Sequence, residues 1–272
     1  MTPAIIMVAP NGARKTRLDH PNLPVSIEAT VNEALSCFEA GASVLHAHVR
    51  GSEDEHVLDF GRYRELLAEM SVRVPDMLVQ ITSEAVGRYS PQEQVACIQA
   101  VKPKMTSMAL REITSNFKQP DIARVFFEWC AEAGVHLQHI VYSAEELDRF
   151  VEFRRQGVIP ETHRCVLFVL GSYAADFQSD PGDLEPFLER DLDGLDWFTC
   201  AFGSLEQECV MKAIQQDGHA RVGFENNLRL PDGEIAQSSA ALVSSLSEAI
   251  LASNRSVATA RDAAQLLGIR SA

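Results

Sequence analysis

The stretch Val44-Leu45-His46-Ala47-His48-Val49-Arg50 reads as a short apolar strand carrying two histidines one residue apart. Side chains at i and i+2 of a strand point to the same side, so His46 and His48 face one space together. Two imidazoles aimed into one cavity are half of a divalent metal site, most simply zinc. The competing reading is a pair of partly buried or surface histidines. Which one holds depends on whether the chain supplies a third ligand and a framework to deliver it.

Working outward from this stretch reveals a repeated unit. On its N-terminal side, residues 4–9 form a continuous apolar run, as expected of a strand buried on both faces. Pro10-Asn11-Gly12-Ala13-Arg14 turns the chain, and a Pro-rich loop around His20 follows. Val31, Ala34, Leu35 and Phe38 then mark a helix closed by Gly41. On its C-terminal side, helices are marked by Tyr63, Leu66, Leu67 and Met70, by Ser90-Pro91-Gln92-Glu93 with its capping-box pattern, and by Ile122, Val125, Phe126 and Trp129. Ser143-Ala144-Glu145-Glu146 is a second capping-box candidate, and Leu147, Phe150 and Val151 give its helix a buried face. Further helices are expected from Asp180-Pro181 to Arg190, around Leu205, Cys209 and Ile214, around Leu242, Val243, Leu246 and Ile250, and finally over 256–268. Strands fall at 77–82, 104–110, 135–142, 165–170, 196–202 and 220–224. Alternation of this kind implies parallel strands with crossover helices. Eight units over 272 residues, with no break in composition, predict one domain spanning 1–272, a closed (β/α)8 TIM barrel of the α/β class. An open doubly wound sheet is the structural alternative.

Composition narrows the function classes. A formal net charge of −14 argues against general affinity for nucleic acid or anionic membrane. No apolar run approaches a membrane span, and Met1-Thr2-Pro3 lacks a signal-peptide layout. The six cysteines are scattered and form no CxxC, which predicts reduced core cysteines in a cytoplasmic protein. Gly-x-Ser-x-Gly, Gly-x-Gly-x-x-Gly and P-loop patterns are all absent.

In such a barrel the active site gathers at the C-terminal ends of the strands. Those ends offer Asn11 and Arg14, then His46, His48 and Arg50, then Thr82, Ser83 and Glu84, then Thr106, Ser107 and Arg111. They continue with Gln138, His139 and Ser143, with Gly171, Ser172 and Tyr173, with Gly203 and Ser204, and with Arg221, Glu225 and Asn226. Glu225 is the best third ligand, because strand eight of a closed barrel lies beside strand one, next to strand two. Two histidines and a carboxylate with an open position form a recognised catalytic zinc layout. A salt bridge to a nearby arginine is the alternative for Glu225. Arg221 could pair with that carboxylate or bind an anionic substrate. His20 could cover the site and His139 is read as barrel-interior or functional, while His56, His136, His163 and His219 have no partner spacing and read as structural or solvated.

These residues together resemble the β-keto acid cleavage enzymes, whose founding type is the 3-keto-5-aminohexanoate cleavage enzyme. The resemblance rests on Ala9-Pro10-Asn11-Gly12-Ala13-Arg14, His20-Pro21, Pro24 and Gly41-Ala42-Ser43-Val44-Leu45-His46-Ala47-His48-Val49-Arg50. It continues through Ser115-Asn116-Phe117, Val169-Leu170-Gly171 and the run from Gly218 through Arg221, Glu225 and Asn226 to Leu228. It implies a (β/α)8 barrel, usually homotetrameric, in which His46, His48 and Glu225 hold zinc. It implies a reaction in which a β-keto acid and acetyl-CoA become acetoacetate and a new acyl-CoA. It assigns Arg221 as catalytic, and Ser83 and Thr106, with Asn11 and Arg14, to the substrate. Several positions depart from the family pattern. Asn226 stands where a general-base Asp is usual, and an amide cannot accept that proton. Gln138 and Ile140 stand in place of a Glu-x-Glu pair. Glu84 replaces a Gly and is expected to supply the missing carboxylate. Arg14 replaces an acidic residue that meets an amino group, so a neutral or anionic keto acid is expected. Another zinc-dependent lyase or aldolase, and a metal-binding paralogue that binds a metabolite without turnover, remain the alternatives.

Overall fold

A strand that is apolar on both faces needs cover on both, and a set of such strands finds it by closing into a ring inside a layer of helices. The computed structural model describes residues 2–115, 118, 120–172, 176 and 178–269. In it β1 (Ile6–Val8), β2 (Val44–Ala47), β3 (Leu78–Thr82), β4 (Met105–Ala109), β5 (His136–Val141), β6 (Cys165–Leu170), β7 (Asp196–Ala201) and β8 (His219–Val222) form a closed barrel in sequence order. Every neighbouring pair is parallel, and Met7 pairs with both Val44 and Arg221, which closes the seam between the first and last strands. The expected TIM barrel is the observed fold.

Helices α1 (Ile27–Glu39), α2 (Phe60–Arg73), α3 (Pro91–Val101), α4 (Leu110–Ile113), α5 (Pro120–Ala133), α6 (Ala144–Arg155), α7 (Glu185–Leu188), α8 (Glu206–Gln215) and α9 (Ser239–Ala252) fill the connections. The last helix, α10 (Ala260–Leu266), closes the end opposite the strand C-termini. Ala258, Ala263 and Leu267 cluster there with Ile5 and Met7.

The period of two along each strand sorts residues between two environments. Met7, Val44, Met105, Leu167, Val169 and Phe198 point into the barrel. Their neighbours Ile6, Leu45, Val166, Phe168 and Trp197 pack outward beneath the helices. Three site assignments change on this parity. Ser83 and Thr106 face outward: the Ser83 hydroxyl donates to the Ser107 carbonyl at 2.7 Å, and the Thr106 hydroxyl donates to the Ile81 carbonyl at 3.1 Å. His139 also points outward, against Phe127 and Phe150, and not into the barrel.

Helix faces shift as well. On α5 the buried residues are Ala123, Phe126, Phe127 and Cys130, and Val125 is exposed. On α6 Phe153 is buried and Val151 exposed. Apolar residues occur at helical spacing on two adjoining stripes of each helix, so periodicity alone does not phase them. The Ser90–Glu93 capping box forms completely. At Ser143 only half forms, because the Glu146 carboxylate turns to the Tyr142 N–H and to Arg111. The helix expected from 180 to 190 is a 3₁₀ turn, Pro181–Leu184, followed by the single turn of α7.

Burial holds several imidazoles neutral away from the cavity mouth. It lowers His136 and His163 to about 4 and His219 to about 3, and puts His139 well below the ordinary range. Unfolded imidazoles titrate near ~6.5. Below that pH the unfolded chain binds protons that the folded chain refuses, so stability is complete above it and is lost as pH falls toward 4. The urea midpoint is therefore expected to fall steadily between pH 7 and pH 5 in a fluorescence-monitored titration. A flat midpoint across that window would contradict the neutral, buried histidines.

Candidate active site

Three ligand-type atoms converge at the C-terminal mouth of the barrel. His46 Nε2 and His48 Nε2 lie 3.2 Å apart, and Glu225 Oε2 lies 3.6 and 3.5 Å from them. Zinc–ligand bonds of about 2.0–2.1 Å in a tetrahedron imply ligand–ligand edges of about 3.3–3.4 Å, so the three separations are those of one tetrahedral face. Among the described residues this is the one cluster of its kind. Glu225 Oε2 is buried and has no hydrogen-bond partner.

The protons on the two rings can be assigned from their neighbours. His46 Nδ1 is 2.7 Å from Gln80 Oε1, an acceptor, so Nδ1 carries the hydrogen and Nε2 the lone pair. His56 Nε2 donates to the Glu84 carbonyl at 2.9 Å, which makes His56 Nδ1 an acceptor. His48 Nδ1, 3.3 Å from it, must then donate, leaving its Nε2 bare as well. Burial lowers His46 to about 4 and His48 to about 3, although Glu225 pulls the other way. Burial would raise Glu225, but the Arg221 guanidinium beside it holds it well below the usual carboxylate range. Two lone pairs and a carboxylate oxygen thus face each other with no proton between them. That arrangement suits a cation, and the neutral rings are the form that ligates one.

The surrounding strands hold these donors in place. Gln80 Nε2 donates to Gln138 Oε1 at 3.2 Å, and Gln138 Nε2 reaches Cys165 Sγ at 3.5 Å, forming a polar belt across the barrel interior. Asn11 braces the end of β2, donating to the His48 carbonyl at 2.9 Å and accepting from the His48 N–H at 3.3 Å. Gly12, at φ +58°, lies against Glu225, where an added Cβ would come within 2.5 Å of Glu225 Cγ. Buried Glu206 accepts from the Gly223 N–H and the Asn227 amide, each at 3.2 Å, and so ties down the loop carrying Glu225. Burial raises its carboxyl to about 8.

The centre opens into a cavity of about 570 Å³. Its lining includes His46, Thr82, Glu84, Ser107, Arg221, Glu225 and Asn226. Glu84 sits 3.9 Å from His48 Nε2 and 4.0 Å from Arg14, and burial together with the Glu225 charge raises it to about 7. Arg221 is buried and donates to Glu225 at 3.0 Å and Cys200 at 3.3 Å. Burial would lower its guanidinium, but those two neighbours more than offset this. Both amide atoms of Asn226 are buried without a partner. Strand parity puts Thr82 and Ser107 on the cavity in place of Ser83 and Thr106.

Several expected residues lie elsewhere. Arg50 does not line the cavity; it is buried and donates to the carbonyls of Asn11, Gly12, Lys15 and Asp54. Arg111 pairs with Glu146 and lies over the Tyr142 ring. His20 packs on Phe224 with ring centres 4.4 Å apart and does not cover the site. Tyr173, Asn116 and Phe117 lie outside the described residues. His56, read from its spacing as structural, is instead the partner that orients His48.

A parallel barrel with one histidine on β2, a second just past its end and a glutamate after β8, opening on a polar cavity, has the layout of a barrel enzyme with a metal-competent centre. The family model described as beta-keto acid cleavage enzyme matches residues 3–269, and the chain belongs to that family of acyl-transferring, carbon–carbon-bond-cleaving enzymes. It is similar to the 3-keto-5-aminohexanoate cleavage enzyme of Fusobacterium nucleatum, with 28% identity over 99% of each chain. It is also similar to the 3-oxoadipate:acetyl-CoA acetyltransferase of Cupriavidus necator, with 26% identity over 99% of this chain and 96% of that one. Among solved structures, the complex of ObcA with oxaloacetate superposes with a TM-score of 0.76 at 16% identity. That match covers 92% of this chain and 68% of that one, and it bears on the fold alone.

The wiring behind the rings carries a testable consequence. Gln80→Leu removes the acceptor that fixes the His46 tautomer, and it is expected to weaken metal binding about 10–100-fold while leaving the fold intact. Competition with a chromophoric chelator measures this; unchanged affinity would refute the tautomer assignment.

Proposed function

We propose that the chain is a zinc-dependent enzyme that condenses a β-keto acid with acetyl-CoA and releases acetoacetate and a new acyl-CoA. The observation that carries this reading is the trio of bare ligand atoms, His46 Nε2, His48 Nε2 and Glu225 Oε2, spaced as a tetrahedral face inside the cavity. Zinc held there would supply a Lewis acid that draws negative charge onto a keto oxygen.

The remaining chemistry falls to the chain's own groups. Glu84, a cavity carboxylate outside that trio and 3.9 Å from His48 Nε2, takes the proton from the carbon between the carboxylate and the ketone. That carbon attacks the thioester carbonyl, and the CoA thiolate leaves. The thiolate then attacks the original ketone, the bond to the central carbon breaks, and the proton returns from Glu84 to acetoacetate. Arg221, buried and positive, offers its unpartnered Nε–H to the charge that develops. Asn226 cannot accept a proton and acts as a hydrogen-bonding group. Asn11 lines the cavity but spends its amide on backbone groups, so it shapes the space and does not read the substrate. Arg14, on the loop after β1, opposes a cationic tail, which favours neutral or anionic keto acids. A homotetrameric, cytoplasmic protein is part of the same reading, and light scattering tests the assembly.

Purified protein is expected to contain close to one zinc per chain, and His46→Ala is expected to lose both metal and turnover. In a panel of β-keto acids, acetoacetate should appear only when acetyl-CoA is present. Cleavage without acetyl-CoA would point instead to a lyase or aldolase, and silence across the panel to a metabolite-binding paralogue, the reading that Asn226 favours. Glu84→Gln should lower kcat by about 10²–10⁴ with metal content unchanged; an undiminished kcat would remove Glu84 as the base. Keto acids with an amino-bearing tail should be poorer substrates than neutral analogues, and the reverse order would overturn the role given to Arg14.

A further inference from the structure

Arg14 and Lys15 leave the loop after β1 toward different sides of the cavity. Arg14 extends toward β3, where Glu84 stands 4.0 Å away. Lys15 extends toward β7 and β8: its Nζ donates to the Glu225 carbonyl at 2.6 Å and lies 5.7 Å from the centre of the Phe202 ring. The loop between them is held from behind, since buried Arg50 donates to the carbonyls of Asn11, Gly12 and Lys15. Lys15 is thus presented by a braced backbone, not by a free tip.

The charge balance of the two cations differs. Arg14 faces a carboxylate, whereas no carboxylate among the described residues lies within 4.0 Å of Lys15 Nζ. The acidic groups around it are otherwise occupied. Glu225 is engaged by Arg221 at 3.0 Å. Glu206, held near 8 by burial, keeps its proton at neutral pH. Asp19 accepts from the N–H and hydroxyl of Thr16. One of the three N–H groups of Lys15 is used, and the side chain lines the cavity. In the same cavity, Ser107 Oγ, Arg221 Nε and the Asn226 amide are buried without partners. The space therefore has unpartnered donors and, in Lys15, a cation with no ion-pair partner within 4.0 Å among the described residues, which suits an oxygen-rich anionic guest.

We propose that Lys15 is an oxyanion-binding subsite that takes a second carboxylate of the substrate, so that the chain prefers β-keto dicarboxylic acids to monocarboxylic ones. The keto-acid part rests on the function proposed above; the subsite itself does not. A phosphate of CoA offers the same chemistry, and the two sources can be told apart.

Equilibrium binding to the metal-loaded protein supplies the test, with glutarate, butyrate and CoA as probes. The wild-type protein should bind glutarate more tightly than butyrate by about tenfold to a hundredfold, the fold-change of a hydrogen bond to a charged group. Lys15→Gln keeps an N–H for the Glu225 carbonyl but removes the charge. It should abolish the glutarate preference and leave butyrate affinity and metal content unchanged, and Lys15→Arg should restore most of the preference. If Lys15→Gln instead weakens CoA and spares the glutarate preference, the subsite stands and its oxyanion is a CoA phosphate. Equal affinities of wild type and Lys15→Gln for all three probes would overturn the proposal. No turnover is required, so an absence of acetoacetate would count against the proposed reaction without touching this result.

Discussion

The structure is organised around three electron-rich atoms that must sit next to one another without a proton between them. His46 Nε2, His48 Nε2 and Glu225 Oε2 repel as neutral rings and a carboxylate, and only their backing keeps them together. Gln80 draws the His46 hydrogen to the far side of its ring, and the His56–Glu84 carbonyl chain does the same for His48. Gln80 is in turn held by Gln138, and His48 by Asn11. The polar belt inside an otherwise apolar barrel is intelligible as the support that this local repulsion requires.

Most of the framework was legible in the sequence because the barrel repeats one simple signal. A buried parallel strand is a short apolar run, and a covering helix shows an apolar stripe; both recur in order along the chain. His46 and His48 could be read as a pair because strand geometry relates neighbours at i and i+2 directly. Glu225 followed from closure of the barrel. What failed was phase. The family resemblance assigns Ser83 and Thr106, at strand ends, to the substrate, but a shift of one residue sends a side chain to the opposite face of the sheet. Counting parity from His46 through its pairing with Gln80 selects Thr82 and Ser107 instead. His56 left no comparable signal, since it reaches His48 from an irregular loop whose path is set by tertiary packing.

The carboxylates of Glu225 and Glu84 both lie within 4 Å of His48 Nε2, while Asn226 contributes an uncharged amide to the same cavity. Cationic groups are distributed to match, with Arg221 beside Glu225 and Arg14 toward Glu84. Relatives at 26–29% identity carry names that differ in the keto acid they act on. A common barrel floor with a variable set of mouth residues is the physical arrangement under which such diversity arises without change of fold.

The seam where β1 pairs with β8 has a temporal meaning. The histidines lie on and just past the second strand and the glutamate follows the last, so the centre cannot exist until nearly the whole chain has been made and the ring has closed. A nascent or truncated chain would present two histidines without their carboxylate. An ion captured by all three ligands would act as a clasp across the first and final quarters of the molecule. Occupancy of the centre would then certify completed folding as well as equip the site for chemistry.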